Sequence, residues 1–577
     1  MLATIPTGPY INGYLVIPFL IILLIWAKLL TWIDKDAPAC RLPRQMMNAG
    51  MWGGLVAGVF LFLMLPMGAV GGFSIFVGIL IVEMGVYLGL RHQKVGLGDL
   101  TVQFKGMLQS KGKKEKKEAK IAAGQIVIVN KAGVPMPQPD PQVPERQQFD
   151  AAQLVLRDPM RRGSERIELT VNNDGGTVTY LVDGFQYDGP ALDRNAAAGA
   201  IGFFKFVAGL DATEKRKPQV GPFKTVLDNV KREMQVKTRG SSSTESMTII
   251  SEPKKRHGFA LRALGFSPEQ LEIVKSTIQD AQGLVLITTP PGHGLTALEY
   301  AILRAHDAFL QHILTIERTP EQEIEGVTQN TLPLSATPQE EAKQVNWVVS
   351  QEPDVVLMAT VEDSNAARDL AGYAENPNKR AYVGLRAGSA FEALKQWRKL
   401  VGDDNLAIKS LRLVIAGRTL RKLCEACKVG YTPDPTLLKK LNMDPGRVNK
   451  LFQARTSPQR DAKGNPVPCN FCSDLAFKGR TGVYELLVID DQMRELLLNN
   501  ASDNEIKAAF RHQKGQYLQE MALDLVEKGE TSVNEVQRVL RSDSGSGPSK
   551  SADPGGGQPK PSGGQAKPPT ATSTRRR

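Results

Sequence analysis

Two groups of residues in this chain have the types and spacing that chemistry requires. The first is Thr288-Thr-Pro-Pro-Gly-His-Gly-Leu-Thr296, a glycine-containing turn between an apolar strand pattern, Gly283 to Thr288, and a helical pattern, Leu298 to Phe309. A phosphate-binding loop reads G-x-x-x-x-G-K-[ST]: backbone N–H groups cradle phosphates, lysine reaches the β- and γ-phosphates, and the hydroxyl binds Mg²⁺. Here Gly292, Gly294 and Thr296 fit that frame, while Thr289 stands at the first glycine and Leu295 at the lysine. An ordinary strand–helix turn kept for packing is the alternative reading of the segment. His293 is expected to be a solvent-facing residue of the turn.

The second group is Cys424-Glu-Ala-Cys427 and Cys469-Asn-Phe-Cys472. Each C-x-x-C lets two thiolates reach one ion, and two pairs complete a tetrahedral sulfur site of the kind that suits Zn²⁺. Four protein ligands leave no open position, so such a site is structural. A disulfide pair or a redox C-x-x-C are the alternatives. A cytoplasmic domain disfavours the first, and the missing βαβ context disfavours the second. Residues 434–455 between the pairs are predicted to form a helical insert. Cys40, near the amino terminus, reads as a buried or interfacial cysteine.

The elements that must position these groups can be read from the pattern. The 577 residues are enough for several domains. Apolar stretches at 14–33, 50–67 and 69–90 approach the ~20 residues a membrane-spanning helix needs, although the second is short. Lys35, Arg41 and Arg44 follow the first stretch, and lysines and arginines abound after Leu90. Three spans with the amino terminus outside place both basic segments in the cytoplasm. A two-span arrangement with 51–90 as a hairpin is the alternative. The net charge of +12 is concentrated in Lys111-Gly-Lys-Lys-Glu-Lys-Lys-Glu-Ala-Lys120 and Arg575-Arg-Arg577. The first run, just beyond the apolar stretches, points to an anionic membrane surface, and it lacks the aromatic interleaving of a nucleic-acid site.

Residues 93–147 read as a basic, Pro- and Gln-rich tether and 543–577 as a disordered tail. Between them strand-like and helix-like patterns alternate, the mark of α/β architecture. A small α/β domain is expected over 148–250, a larger α/β domain over 251–423 that begins near His257, the cysteine subdomain over 424–480 and a helical region over 481–542.

Six segments in order resemble the secretion ATPases that drive type II secretion and type IV pilus assembly, over residues 150–540. They are Val207 to Gly221, Phe259 to Val274, Thr315-Ile-Glu-Arg-Thr-Pro-Glu321, Gln351 to Thr360, Ile415 to Cys424 and Lys478 to Val488. The resemblance implies a RecA-like motor domain with a phosphate loop and ATP between the subunits of a hexamer. It also implies a zinc-binding insertion, seated at the inner membrane among secretion or pilus proteins.

Position by position, the catalytic boxes depart from the family pattern. Leu295 replaces lysine, Arg318 the aspartate after Glu317, Thr360 the glutamate that polarises water, and Arg386 the histidine of Leu385-Arg-Ala-Gly-Ser389. These changes imply a site without turnover, in a structural or regulatory subunit that docks on an active paralogue or on the pilus platform. Rescue by Glu317, or by Glu362 together with Arg386, is the alternative. Glu362 would share a face with Thr360 if the strand before it continued. Binding of Mg·ATP without hydrolysis, as a sensor, also stays open, because two glycines and a helix amino terminus favour an anion.

Overall fold

The computed structural model describes residues 13–64, 68–96, 126–241, 244–252, 259–280, 282–457, 459–460, 463 and 465–541. The basic run 111–120, His257 and the tail from 543 lie outside the described residues. The chain divides into two compact units. One comprises Met1–Ala260, Thr296–Ala308 and Arg318–Thr331; the other comprises Leu261–Leu295, Phe309–Glu317 and Leu332–Arg577.

The first unit begins with helices α1 (Gly13–Ala39), α2 (Arg44–Met64) and α3 (Gly68–Lys94). Within α1 and α3, Ile17–Ala39 and Val70–Lys94 are long and apolar enough to cross a membrane. In α2 the apolar run is diluted by Gly50, Gly53, Gly54 and Gly58. Side chains such as Leu24, Val56, Phe60 and Ile81 are exposed, while Phe19 packs between Phe62 and Phe76 with ring centroids 5.6 and 5.1 Å away. Apolar residues on both faces of a bundle suit a hydrocarbon surround.

The small domain of the same unit is a seven-stranded sheet of order β1-β5-β6-β7-β2-β3-β4. The strands are β1 (Val127–Val129), β2 (Arg166–Val171), β3 (Gly176–Val182), β4 (Phe185–Asp188), β5 (Gln219–Leu227), β6 (Val230–Gly240) and β7 (Glu245–Ser251). Neighbours pair antiparallel, and alternate residues of β5 are buried, so one face carries the core. Helices Glu145–Arg162 and Arg194–Val207 pack on each other and on β3. Asp193 caps the second by accepting the Ala196 N–H.

The predicted tether is therefore too long. Ile128 is buried and β1 pairs with β5, so residues from 126 onward belong to this sheet as well. Three apolar residues in a Pro-rich context carry little periodic signal; the partner strand, a hundred residues away, supplies the stabilisation.

The second unit is built on a parallel sheet. Its strands are β8 (Gly283–Thr288), β9 (Ile313–Glu317), β11 (Val355–Met358), β12 (Arg380–Leu385) and β13 (Leu411–Leu423), while β10 (Val327–Thr331) belongs to the other unit's segments. The order β9-β11-β12-β8-β13 is parallel throughout, and β18 (Phe477–Val488) closes the edge antiparallel to β13. Every residue of β8, β9, β11 and β12 is buried, as a sheet covered on both faces requires. Helices Pro338–Val349, Ser364–Tyr373 and Ala390–Val401 bring Val345, Leu370 and Trp397 into that core.

β18 belongs to this main sheet, so the boundary expected at 480 cuts a strand. Its Glu485 is buried, and the carboxylate accepts the Ala390 N–H at 2.8 Å, at the start of a helix. Burial pushes this carboxyl above the usual carboxylate range. The carboxyl-terminal helices end with Val533–Arg541, whose Glu535 is gripped by Arg421 and Arg538. Burial opposes ionisation of Glu535, but the two guanidinium groups win and hold its pKa at about 2.

Between β13 and β18 lie two hairpins, β14 (Val429–Tyr431) with β15 (Leu451–Gln453), and β16 (Gln459–Arg460) with β17 (Pro466–Val467). The helical insert expected over 434–455 is only the short helix Pro435–Lys440 followed by β15. Pro445 and Gly446 interrupt any longer helix.

Candidate functional site

Four of the sequence boxes converge because the strands before them are parallel neighbours. β9, β11, β12 and β8 end at Glu317, Met358, Leu385 and Thr288, and in open α/β sheets ligands bind outside these carboxyl ends. Glu317 closes β9, Thr360 lies two residues beyond β11, Arg386 directly follows β12, and the glycine turn follows β8. Arg318 and Thr296 are the next residues in chain after Glu317 and Leu295, and both fall in segments of the other unit.

The turn is held by specific bonds. The Thr288 hydroxyl donates toward the Leu385 carbonyl at 3.1 Å and accepts the Ala387 N–H at 2.8 Å. This fixes the backbone on both sides of Arg386 to the end of β8. Gly292 and Gly294 have φ of +81° and +85°, which a residue with a Cβ adopts only under strain. The helix that follows runs Leu295–Leu303, starting and stopping earlier than the pattern predicted.

Leu295 is 3% exposed. The side chain expected at the lysine of a phosphate loop is a hydrocarbon packed away from water. Arg386 is exposed and Thr360 half-buried. Glu317 is buried, and one carboxylate oxygen accepts the Thr315 hydroxyl at 2.7 Å.

Glu362 does not share a strand face with Thr360, because β11 stops at Met358. Its side chain is exposed, and its N–H donates to the buried Glu341 carboxylate at 2.7 Å, with Asp363 N–H at 3.0 Å on the same oxygen. Glu341 was not legible as a site residue. Its helical position shows nothing of the loop that it holds.

His293 is half-buried, contrary to the solvent-facing expectation. Its Nδ1 accepts the Thr419 N–H at 3.2 Å, so the neutral ring carries its proton on Nε2. Burial, helped by the charges of Arg418, Arg538 and Arg480, lowers its pKa to about 4. The unfolded chain takes up a proton near 6.5 and the folded one only near 4. Stability is therefore complete above 6.5 and falls as the pH drops below it.

We expect about 2 kcal/mol of this contribution to be lost between 6.5 and about pH 5. His293→Asn keeps an acceptor for Thr419 and cannot charge. Its unfolding free energy, measured against the unmodified protein at several pH values, should lack this acid-side loss; parallel curves would refute the assignment.

The cysteines form a separate site. Cys424 follows β13 directly, and Cys469 and Cys472 lie just before β18. All four thiols are buried and unpaired as disulfides. Their sulfurs lie within 4.8 Å of one another, with Cys424–Cys469 at 3.9 Å and Cys427–Cys472 at 3.6 Å. A tetrahedron with metal–sulfur bonds of about 2.3 Å has edges of about 3.8 Å, so the cage fits a thiolate-bound metal ion. The cysteine motif thus assembles as the spacing predicted.

The chain is similar to proteins of known machines. It is 29% identical over 387 residues to type II secretion system protein E of Pseudomonas aeruginosa, covering 67% of this chain and 74% of that protein. With type II secretion system ATPase E of Vibrio cholerae the identity is 26% over 390 residues, covering 67% and 74%. With type IV pilus assembly ATPase PilB of Thermus thermophilus it is 26% over 385 residues, covering 66% and 42%. The family described as type II/IV secretion system protein matches residues 149–538, the span from the small domain to the last described helix. With well over half of its length so matched, and four of the boxes gathered at one edge of the sheet, the chain belongs to the type II/IV secretion system protein family.

Proposed function

We propose that this protein is a membrane-anchored subunit of a secretion or pilus machine that does not itself hydrolyse ATP and instead docks on a competent relative. The observation that carries the reading is the buried Leu295, which supplies neither charge nor donor where phosphoryl transfer needs both. Thr360 adds to it, since a hydroxyl cannot serve as a carboxylate base. The three amino-terminal helices would span the inner membrane with the amino terminus outside, keeping Lys35, Arg41 and Arg44 in the cytoplasm. The cysteine cage would hold a structural zinc ion, given four soft ligands and no open position. The family resemblance supports assembly as a ring, and the protein would form it alone or mixed with an active paralogue.

Affinity purification through the carboxyl-terminal tail in mild detergent tests the subunit role. An intact secretion-type ATPase, with its lysine-bearing phosphate loop, should co-purify. Recovery of the chain by itself, at the same yield from cells that make such an ATPase, would remove the docking role.

Binding of Mg·ATP without turnover is a second reading, favoured by the left-handed Gly292 and Gly294, whose amides can approach a phosphate closely. Titration calorimetry separates the two readings. Heat that depends on Mg²⁺ supports a sensor, whereas its absence at millimolar nucleotide leaves a scaffold.

A further inference from the structure

The three-helix bundle and the small domain are linked in sequence by residues 97–125, which are outside the described residues. A free chain of that length would let the two parts wander over about 30 Å. Yet both places where the bundle meets the soluble chain, the α1–α2 turn and the exit from α3, contact the small domain directly.

At the turn, Arg41 takes φ of +59°, a left-handed conformation that normally falls to glycine at a helix end. An arginine held there against its preference points to a role for its side chain. That side chain leaves the bundle. Its Nη2 donates to Gln148 Oε1 at 2.7 Å, and the guanidinium lies 5.0 Å from the centre of the Phe206 ring. Gln148 and Phe206 sit on the two helices of the small domain, and Glu145 lies on the same small cavity as Arg41.

At the exit, the Asp140 N–H donates to the Val95 carbonyl at 2.9 Å, and a Cβ at Gly96 would strike the Asp140 carboxylate. A buried network braces both places. Arg91 is fully buried; its Nε donates to Asp36 at 2.9 Å and its Nη1 to the Gly96 carbonyl at 2.6 Å, while the Tyr87 hydroxyl donates to the same Asp36 oxygen at 2.8 Å. Asp36 lies five residues before Arg41, so one ion pair ties the pin to the exit.

We propose that Arg41 is a docking pin that fastens the small domain to the cytoplasmic ends of the helices. The small domain is then a rigid extension of the bundle and not a module on a tether. If the bundle sits in the membrane as proposed above, any shift of α1 against α3 is delivered directly to helices Glu145–Arg162 and Arg194–Val207. The docking itself does not depend on that placement.

The test uses the full chain in detergent, with spin labels carried by non-canonical residues at the exposed positions Met46 and Val230. The five cysteines stay untouched. The unmodified interface should give one narrow distance distribution. Arg41→Gly deletes the pin while relieving the left-handed strain, so the turn keeps its fold; the distribution should broaden roughly twofold toward that of a free tether.

Phe206→Ala, which leaves every residue of the turn unaltered, should broaden it in the same direction. A broad distribution in the unaltered interface overturns the proposal. So does an unchanged narrow one in Arg41→Gly.

Discussion

Full-length protein in detergent is expected to release phosphate from Mg·ATP no faster than a heat-inactivated sample, across pH and Mg²⁺ concentration. The double substitution Leu295→Lys with Thr360→Glu should raise the rate above that floor by roughly 10², the lower end of what a positioned base supplies. The physical ground is charge. The γ-phosphoryl spreads negative charge over three oxygens during transfer, and the protein's work is to position and neutralise it.

At this sheet edge the position read from the sequence as the lysine holds a buried leucine. Arg386, exposed directly after β12, adds a positive charge, but from the position where the family pattern read in the sequence has a histidine. The double variant places a buried ammonium where only an anion can compensate it, so its thermal stability should fall without nucleotide and recover with it. Robust turnover by the unmodified protein, abolished by Glu362→Gln, would reverse the assignment and make the exposed Glu362 a base.

The second large effect concerns the cysteines. Metal analysis of the purified protein should find zinc at a stoichiometry near one per chain, as a closed four-thiolate site requires. Cys424→Ser or Cys472→Ser should abolish it. Structural zinc sites contribute about 10–16 kcal/mol of apparent binding energy near neutral pH, far more than the two short hairpins can gain from their own pairing.

Losing the metal should therefore unfold residues 424–476 into protease-sensitive chain. β13 and β18 should resist longer, held by their long antiparallel register and by the Arg421–Glu535 pair. A strong chelator should produce the same digestion pattern slowly, reversed by added Zn²⁺ but not by Mg²⁺. Full protection after removal of the metal would show that packing alone holds the cage.

Why some features were legible and others hidden follows from the range of the interactions. The glycine turn, the C-x-x-C pairs and the apolar helices are local patterns: spacing along a few residues sets what the side chains can reach. The glycine turn and the cysteine pairs reappear in the fold where the sequence places them, and two of the three apolar stretches form helices long and apolar enough to cross a membrane. Strand β1 and the ends of the amino-terminal helices were missed because their partners are remote in the chain. β1 is three residues long and depends on β5, while Arg41 depends on Gln148 and Phe206. His293 was misjudged for the same reason, since Thr419 and Arg418 approach it only after β13 is laid beside β8.

The sequence by itself determined the chemistry on offer: a leucine and a threonine where a lysine and a glutamate were expected, four cysteines at ligand spacing and a basic segment beyond apolar helices. Residue identity fixes charge, donors and softness, and no fold can alter that. Tertiary structure alone decided which of these groups meet. The parallel order β9-β11-β12-β8 brings separated boxes to one edge, buries Leu295, and lets Glu341 hold the loop of Glu362. Such encounters depend on strand order and packing between segments distant in the chain, which no local period encodes.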